Sequence, residues 1–301
     1  MASISDWISS FRLRTLPLAL SCIVGGSVCA SIAGNMNWTI FGLAALTTIL
    51  LQVLSNIAND YGDGIKGTDN ENRLGPTRAI QSKAITPLAM KKALLINSLL
   101  AFFSGVALIM YSLSDASAAE IWSFVGLGVF CIIAAISYTV GKNAYGYSGL
   151  GDLFVFIFFG LVGVLGTYYL HTKQFDLSPL LIAVFTGGMS AAVLNMNNMR
   201  DIDNDRNSGK NTLVVKMGSE KAKIYHITLL VISSLSLIAF IALLSPFKLI
   251  YLLPLATMPI FFLNALTTLK NKSPQQLDGE LKKIALGTFA TILLLGVSLL
   301  F

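Results

Sequence analysis

An all-α polytopic membrane protein with nine transmembrane helices is the fold class this sequence predicts, and three observations predict it. Of its 301 residues, 54% are hydrophobic and 12% charged, with a mean hydropathy of +0.72. A soluble domain carries roughly 25% charged residues, because it needs a wetted surface. The apolar residues gather into nine runs, most near the roughly 20 residues a helix needs to cross the hydrocarbon core. The basic residues lie between these runs, almost all on one side. No linker or low-complexity stretch divides the chain, so a single integral-membrane domain over residues 1–301 is expected.

Taken in order, the first run covers 15–34 and follows Arg12 and Arg14, a pattern shared with signal peptides. Its length, and the further runs behind it, favour a retained span. Runs 39–62 and 88–112 flank a long polar stretch, 63–87. Runs 119–140 and 149–170 are joined by a short loop, and the fifth carries Gly160, Gly163 and Gly166, a spacing that suits close helix packing more than a lipid groove. The sixth run, 178–199, leads into the second polar stretch, 200–222, and the last three cover 223–244, 248–269 and 282–301.

Nine spans put the chain ends on opposite sides. Lys173 and Lys248 then fall on one side and the other 19 of the 21 Lys and Arg on the other. A bias of that size marks the richer side, with the N-terminus, as cytoplasmic, and the cell inner membrane as the location. The net charge of +6 is thus explained by topology, and no nucleic-acid partner is expected. Cys22, Cys29 and Cys131 lie in apolar runs without metal-site spacing and read as packing residues. His171 and His226 are expected at the membrane interface.

Seven of the 15 acidic residues sit in two short segments on the cytoplasmic side. In the first, 56–78, Asn56, Asn59, Asp60 and Asp63 are spaced to share one helix face. In the second, 197–212, Asn197 or Asn198, Asp201 and Asp205 share a face while Asp203 points elsewhere. Ionisable residues at a membrane helix end are costly unless they line a wet cavity or meet a partner. Carboxylate and amide oxygens suit Mg2+, which keeps waters and binds substrate phosphates. Lys66, Arg73 and Arg78 follow the first cluster, and Arg206 and Lys210 the second. An acidic site with a basic rim fits a diphosphate held through metal and cation contacts.

NDYGDGIKGTD with NRLGPTRAI, and NNMRDIDNDRNSGKNTLVVKMG, resemble the paired motifs of the UbiA-type membrane prenyltransferases. SYTVGKNAYGYSGLGDLFVFIFFGLVGVLGTYY resembles their central segment, and the likeness runs from about residue 10 to the end. One departure points to the 1,4-dihydroxy-2-naphthoate branch: Gly67 stands where the general first motif has an aspartate, and Asp69 follows two residues later.

The resemblance implies nine helices around a central cavity open to the cytoplasm and to lipid. It implies that Asn59 and Asp63 bind one Mg2+ with Asp60 and Asp69 close by, and that Asp201 and Asp205 bind another with Asp203 in support. Which of Asp60, Asp63 and Asp69 touches metal stays open. Lys142 resembles a diphosphate-contacting lysine, and Arg73, Arg78 and Lys210 share that task. The implied reaction moves a polyprenyl chain from polyprenyl diphosphate to 1,4-dihydroxy-2-naphthoate with decarboxylation, giving demethylmenaquinone. An allylic cation needs a dry, electron-rich wall; Tyr138, Tyr145, Tyr147 and Phe154 are candidates for it, though an interfacial aromatic belt explains any one of them as well. Asp152 in GLGD is the other acid near this region, a candidate for substrate contact or proton handling. Two other readings stay open: a sister enzyme with another acceptor such as 4-hydroxybenzoate, and a membrane transporter.

Overall fold

The computed structural model describes residues 2–300, which are helical and without strands. Nine helices among them are long and apolar enough to cross a membrane. They are α1 (Ile4–Ile32), α2 (Trp38–Lys66), α3 (Pro87–Ser112), α4 (Ala118–Ser137), α5 (Gly151–Thr172), α6 (Ser178–Arg200), α7 (Ser219–Ala242), α8 (Leu249–Lys270) and α9 (Pro274–Ser298). Each overlaps one of the nine expected runs. The differences lie at polar ends, where hydropathy is blind: α9 starts eight residues before its apolar run, and α1 gains an extra turn-rich beginning.

That beginning is a short amphipathic helix, Ile4–Phe11, started by a reciprocal cap between Ser3 and Asp6. Trp7 and Phe11 pack against the α2–α3 core that includes Leu54 and Ile57, while Ile4 and Ile8 stay exposed. Arg12 then takes a left-handed conformation (φ 48°), which turns the chain into the spanning part, Leu16–Ile32. Side-chain caps start other helices. Asn37 accepts from the amides of Thr39 (2.9 Å) and Ile40 (3.2 Å) at α2, and Thr86 and Ser117 do the same work for α3 and α4.

Helices α1 and α6 form the centre. α1 packs on α2, α5, α6 and α9, and α6 on α1, α5, α7 and α9. In the most apolar stretch of α6, 72% of residues are buried, against 6% in α4, which lies at the edge of the bundle with one face on the central cavity and the other turned outward. His226 corrects one expectation: it is fully buried inside α7, not interfacial, and its Nε2 meets Asn264 Oδ1 of α8 at 2.9 Å. A polar pair of this kind is satisfied helix to helix, away from water. His171 does sit at a span end, tied to Ser27 (3.1 Å) and to the amide of Asn37 (3.2 Å).

The centre of α5, Ile157–Gly166, winds as a π-helix. Its glycines divide between the two roles open to them. A Cβ on Gly160 would lie 2.6 Å from the Ala183 carbonyl oxygen of α6, so Gly160 serves packing; Gly166 meets nothing within 4 Å and lines the cavity.

Candidate active site at the shared mouth of α2 and α6

The four polar residues at the end of α2 divide into two groups. Asn56, Asn59 and Asp63 line a central cavity of about 410 Å³. Asp60, about 100° further round the helix than Asn59, turns instead toward the beginning of α1. There it is bonded by Arg12, by Arg78 Nη1 (2.7 Å) and by the Ser10 hydroxyl (3.2 Å). Asn56 donates to the Phe11 carbonyl (2.9 Å) and the Thr15 hydroxyl (3.0 Å), locking α2 to α1. Asn59 is set from the other side: Thr139 donates to its Oδ1 (3.2 Å) and to the Ala58 carbonyl (2.9 Å). That approach needs Gly62, where a Cβ would lie 2.7 Å from the Thr139 backbone. Gly67, at φ 75°, then ends the helix and swings Asp69 under the loop.

The second cluster does not continue one helix as its spacing suggests. α6 ends at Arg200, Asp201 sits at the break (φ −100°, ψ 14°), and a separate short helix covers Ile202–Asn207. A hydrogen bond donated by the Asp205 backbone N–H to the Asp201 carbonyl (2.9 Å) bridges the break, and Asp201 and Asp205 are both buried. Asp203 points to solvent, its side chain 81% exposed with Arg206 at 3.6 Å.

The two segments meet. Arg73 lies between Asp69 (Nε, 3.2 Å) and Asp201 (Nη2, 3.6 Å), and Lys210 reaches Asp63 at 3.2 Å. Tyr147 donates to Asp63 (2.8 Å), and Asn204 to the Thr68 carbonyl (2.8 Å). A chain of alternating charge runs across the mouth: Asp278, Arg200, Asp201, Arg73, Asp69, Arg78, Asp60, Arg12. It joins α9, α6 and α2 to the start of α1.

Burial, reinforced by Asp63, pushes the Asp69 carboxyl up to about 7 despite Arg73. Burial also raises Asp205 to about 7, with Asp201 and Asp63 adding to it and Lys210 opposing. Burial alone would lower Lys210, but Asp63 and Asp205 outweigh it and hold the ammonium above its ordinary value. Asp205 lacks the close ion pair that Asp60, Asp63, Asp69 and Asp201 each have among the described residues.

Among the described residues no three Asp, Glu, His or Cys side chains form a ready metal cage. A hard cation that takes amide oxygens, waters and substrate oxygens needs no such cage. Asp63, Asn59 and Asn198 line the cavity, while Asp201 and Asp205 are buried beside its mouth without lining it; three mutually repelling carboxylates with amide oxygens close by fit that kind of ion.

Beneath the mouth the cavity is apolar and extends along α2 to Ala44, a depth of roughly 28 Å at about 1.5 Å per helical residue. One wall is aromatic. Tyr138 and Tyr145 meet edge to face (5.3 Å), Tyr145 and Phe154 at 4.3 Å, and Phe154 and Phe158 at 6.1 Å. All four line the cavity. Asp152 is buried behind this wall, and neither of its oxygens has a hydrogen-bond partner among the described residues. Its neighbour Gly151 packs against the Tyr138 hydroxyl.

Three expected site residues stand apart. Lys142 is exposed on the α4–α5 loop, and Asp203 and Arg206 pair with each other on the outer surface; none lines the cavity. Lys66 is at the edge, its ammonium 4.0 Å above the Tyr147 ring. Arg12, Arg14, Arg200, Asp278 and Lys282 escaped the sequence reading, although Arg12, Arg14 and Lys282 line the cavity. All four basic residues enter the sequence analysis only through the charge count for topology. Asp278 carried no local signal, since its partner Arg200 is 78 positions away.

Comparison with known proteins agrees with this architecture. The UbiA prenyltransferase family model matches residues 18–297. The chain is 42% identical to a Haemophilus influenzae protein named 1,4-dihydroxy-2-naphthoate octaprenyltransferase, over 98% of this chain and 95% of that one. It is 41% identical to the Escherichia coli K12 protein of the same name, over 96% and 92%. A UbiA homolog from Aeropyrum pernix K1 shares the fold with a TM-score of 0.66 at 17% identity, over 100% and 98% of the two chains. Another from Archaeoglobus fulgidus, solved with DMAPP and Mg2+, gives 0.57 at 14% identity, over 95% and 99%. With the motif pair at one mouth and the family model spanning almost the whole chain, this protein belongs to the UbiA prenyltransferase family.

Proposed function

We propose that this protein transfers a polyprenyl chain from its diphosphate to 1,4-dihydroxy-2-naphthoate, with decarboxylation, on the path to demethylmenaquinone. The observation that carries the proposal is one mouth where two acidic helix ends and several cations meet above an aromatic-walled apolar shaft. The relatives named for this reaction match nearly end to end.

In this reading Asn59, Asp63 and Asp69 from the α2 side and Asp201 and Asp205 from the α6 side would hold Mg2+, which when bound would supply positive charge to the leaving diphosphate. Lys210 and Arg73, now bridging acids, supply the cation contacts to the diphosphate. The allylic C–O bond breaks with its electron pair going to diphosphate. The ring carbon supplies the pair for the new C–C bond, and CO2 departs. Tyr138, Tyr145 and Phe154 exclude water and face the cationic carbon. The departing CO2 returns its electron pair to the ring, so no ring proton has to be taken up; Asp152, with unpaired oxygens beside Tyr138, polarises a ring hydroxyl and makes the attacking carbon more electron-rich. Asp60 holds Arg12 and Arg78 in place and leaves metal contact to its neighbours. The single domain lies in the inner membrane, with the mouth on the cytoplasmic side, where 19 of 21 Lys and Arg gather.

Purified protein given Mg2+, a polyprenyl diphosphate and a panel of aromatic acids should yield a prenylated, decarboxylated naphthalenediol, identified by product mass. Asp63→Ala should lower turnover roughly a hundredfold or more while the protein still elutes as a folded species. Product from 4-hydroxybenzoate alone would reassign the acceptor, and no product from any acceptor would remove the transferase reading.

A further inference from the structure

Asp278 lies on α9, outside both acidic motifs, and Arg200 is the last residue of α6. The Arg200 side chain is 1% exposed and commits every nitrogen. Nε and Nη2 grip the two oxygens of Asp201 at 3.1 and 2.7 Å, Nη2 also meets Asn197 at 2.8 Å, and Nη1 meets Asp278 at 2.6 Å. A buried guanidinium held this way has no water to turn to, and a two-pronged grip fixes the carboxylate plane as well as its position. Asp201 sits at the helix break, where the backbone alone does not set its side chain. Asp278, whose other oxygen also meets Arg14 (3.7 Å) and Lys282 (3.8 Å), is thus the outer counterweight: its negative charge offsets Arg200 most closely, so that Arg200 orients Asp201 without fully neutralising it.

We infer that Asp278 and Arg200 are positioning residues, an outer pair that aims the Asp201 carboxylate into the mouth and sets how strongly it attracts a divalent cation. The inference rests on the reading of Asp201 as a metal ligand, and adds Asp278, which neither motif contains, and a role for Arg200 within the second. Groups that orient metal ligands in this way alter affinity by roughly 10- to 100-fold when changed. In Asp278→Asn the amide keeps the size and an acceptor oxygen but not the charge. Arg200 then bears harder on Asp201, and cation binding weakens.

The test is an electron paramagnetic resonance titration of purified protein with Mn2+, without substrate, beside prenyl-transfer kinetics over a range of Mg2+. Asp278→Asn should weaken Mn2+ binding roughly 10- to 100-fold and raise the Mg2+ needed for half-maximal rate in parallel, with less change in kcat at saturating Mg2+. Asp278→Glu should recover much of the affinity. Arg200→Lys, which keeps the charge but loses the two-pronged grip, should weaken binding even where melting curves match the parent. Glu220→Gln, which breaks the exposed pair with Lys223 (2.8 Å), should change neither. Parent-like Mn2+ affinity in both Asp278→Asn and Arg200→Lys would overturn the inference while leaving the transferase reading in place. A parent protein that transfers no prenyl group would sink the transferase reading instead.

Discussion

Asp69 and Asp205 are the residues whose chemistry departs most from that of free carboxylates. Burial and neighbouring acids raise both to about 7, so in the folded, cation-free protein they keep protons that the unfolded chain releases near pH 4. Folded pKa values above the unfolded ones mean that stability falls as pH rises from about 4 through about 7. Cation-free protein in detergent should therefore melt at a lower temperature at pH 8 than at pH 5.5. Millimolar Mg2+ should recover the loss at pH 8 and do little at pH 5.5, where protons occupy the same oxygens. Equal melting temperatures at the two pH values would show that these two carboxylates do not carry the strain. At this scale the sequence was partly legible. Helical spacing alone predicts that Asp203 points away from its cluster, and it does. The commitment of Asp60 to Arg12 is not legible, because the partner lies 48 positions upstream and reads as a topology signal.

At the scale of elements, the site depends on places where helices depart from regular form. Gly62 lets the turn after α4 press on α2 closely enough for Thr139 to fix Asn59. Gly62→Ala should push the two apart, cost about 1–3 kcal/mol of stability, and reduce transfer through displaced Asn59, as melting and rate measurements would show. An unaltered rate would mean that Thr139 is dispensable. The break at Asp201 was hidden in the sequence, since Asn197 to Asp205 keeps a helical spacing across it. Likewise nothing in the apolar run of α5 announces that Ile157–Gly166 winds as a π-helix, although turns of that kind often mark functional sites. The amphipathic start, Ile4–Phe11, is too short to stand out as a span, yet it delivers Ser10 and, at its C-terminal cap, Arg12 to Asp60.

For the whole molecule, hydropathy sufficed to find nine spans because lipid imposes a minimum apolar length on each. What it could not supply was the arrangement: that α1 and α6 are central, and that the loops after α2 and α6 close over one mouth. The proposed orientation makes a direct prediction. Reporters fused after Ser114 and after Asn207 should be read on opposite sides of the membrane, periplasmic and cytoplasmic respectively; the same side for both would break the topology.

One wall of the shaft comes from α4, through residues such as Phe124, Gly128 and Ile132, yet this helix has only 6% of its apolar stretch buried. Trp122, Phe130 and Ile133 are all turned outward. Acyl chains of the surrounding bilayer are therefore the mortar behind that wall. Solubilisation that strips them removes its backing while α1 and α6 stay shielded by protein. Catalytic competence is thus expected to fade with delipidation well before the bundle itself comes apart, and to return on reconstitution into a bilayer.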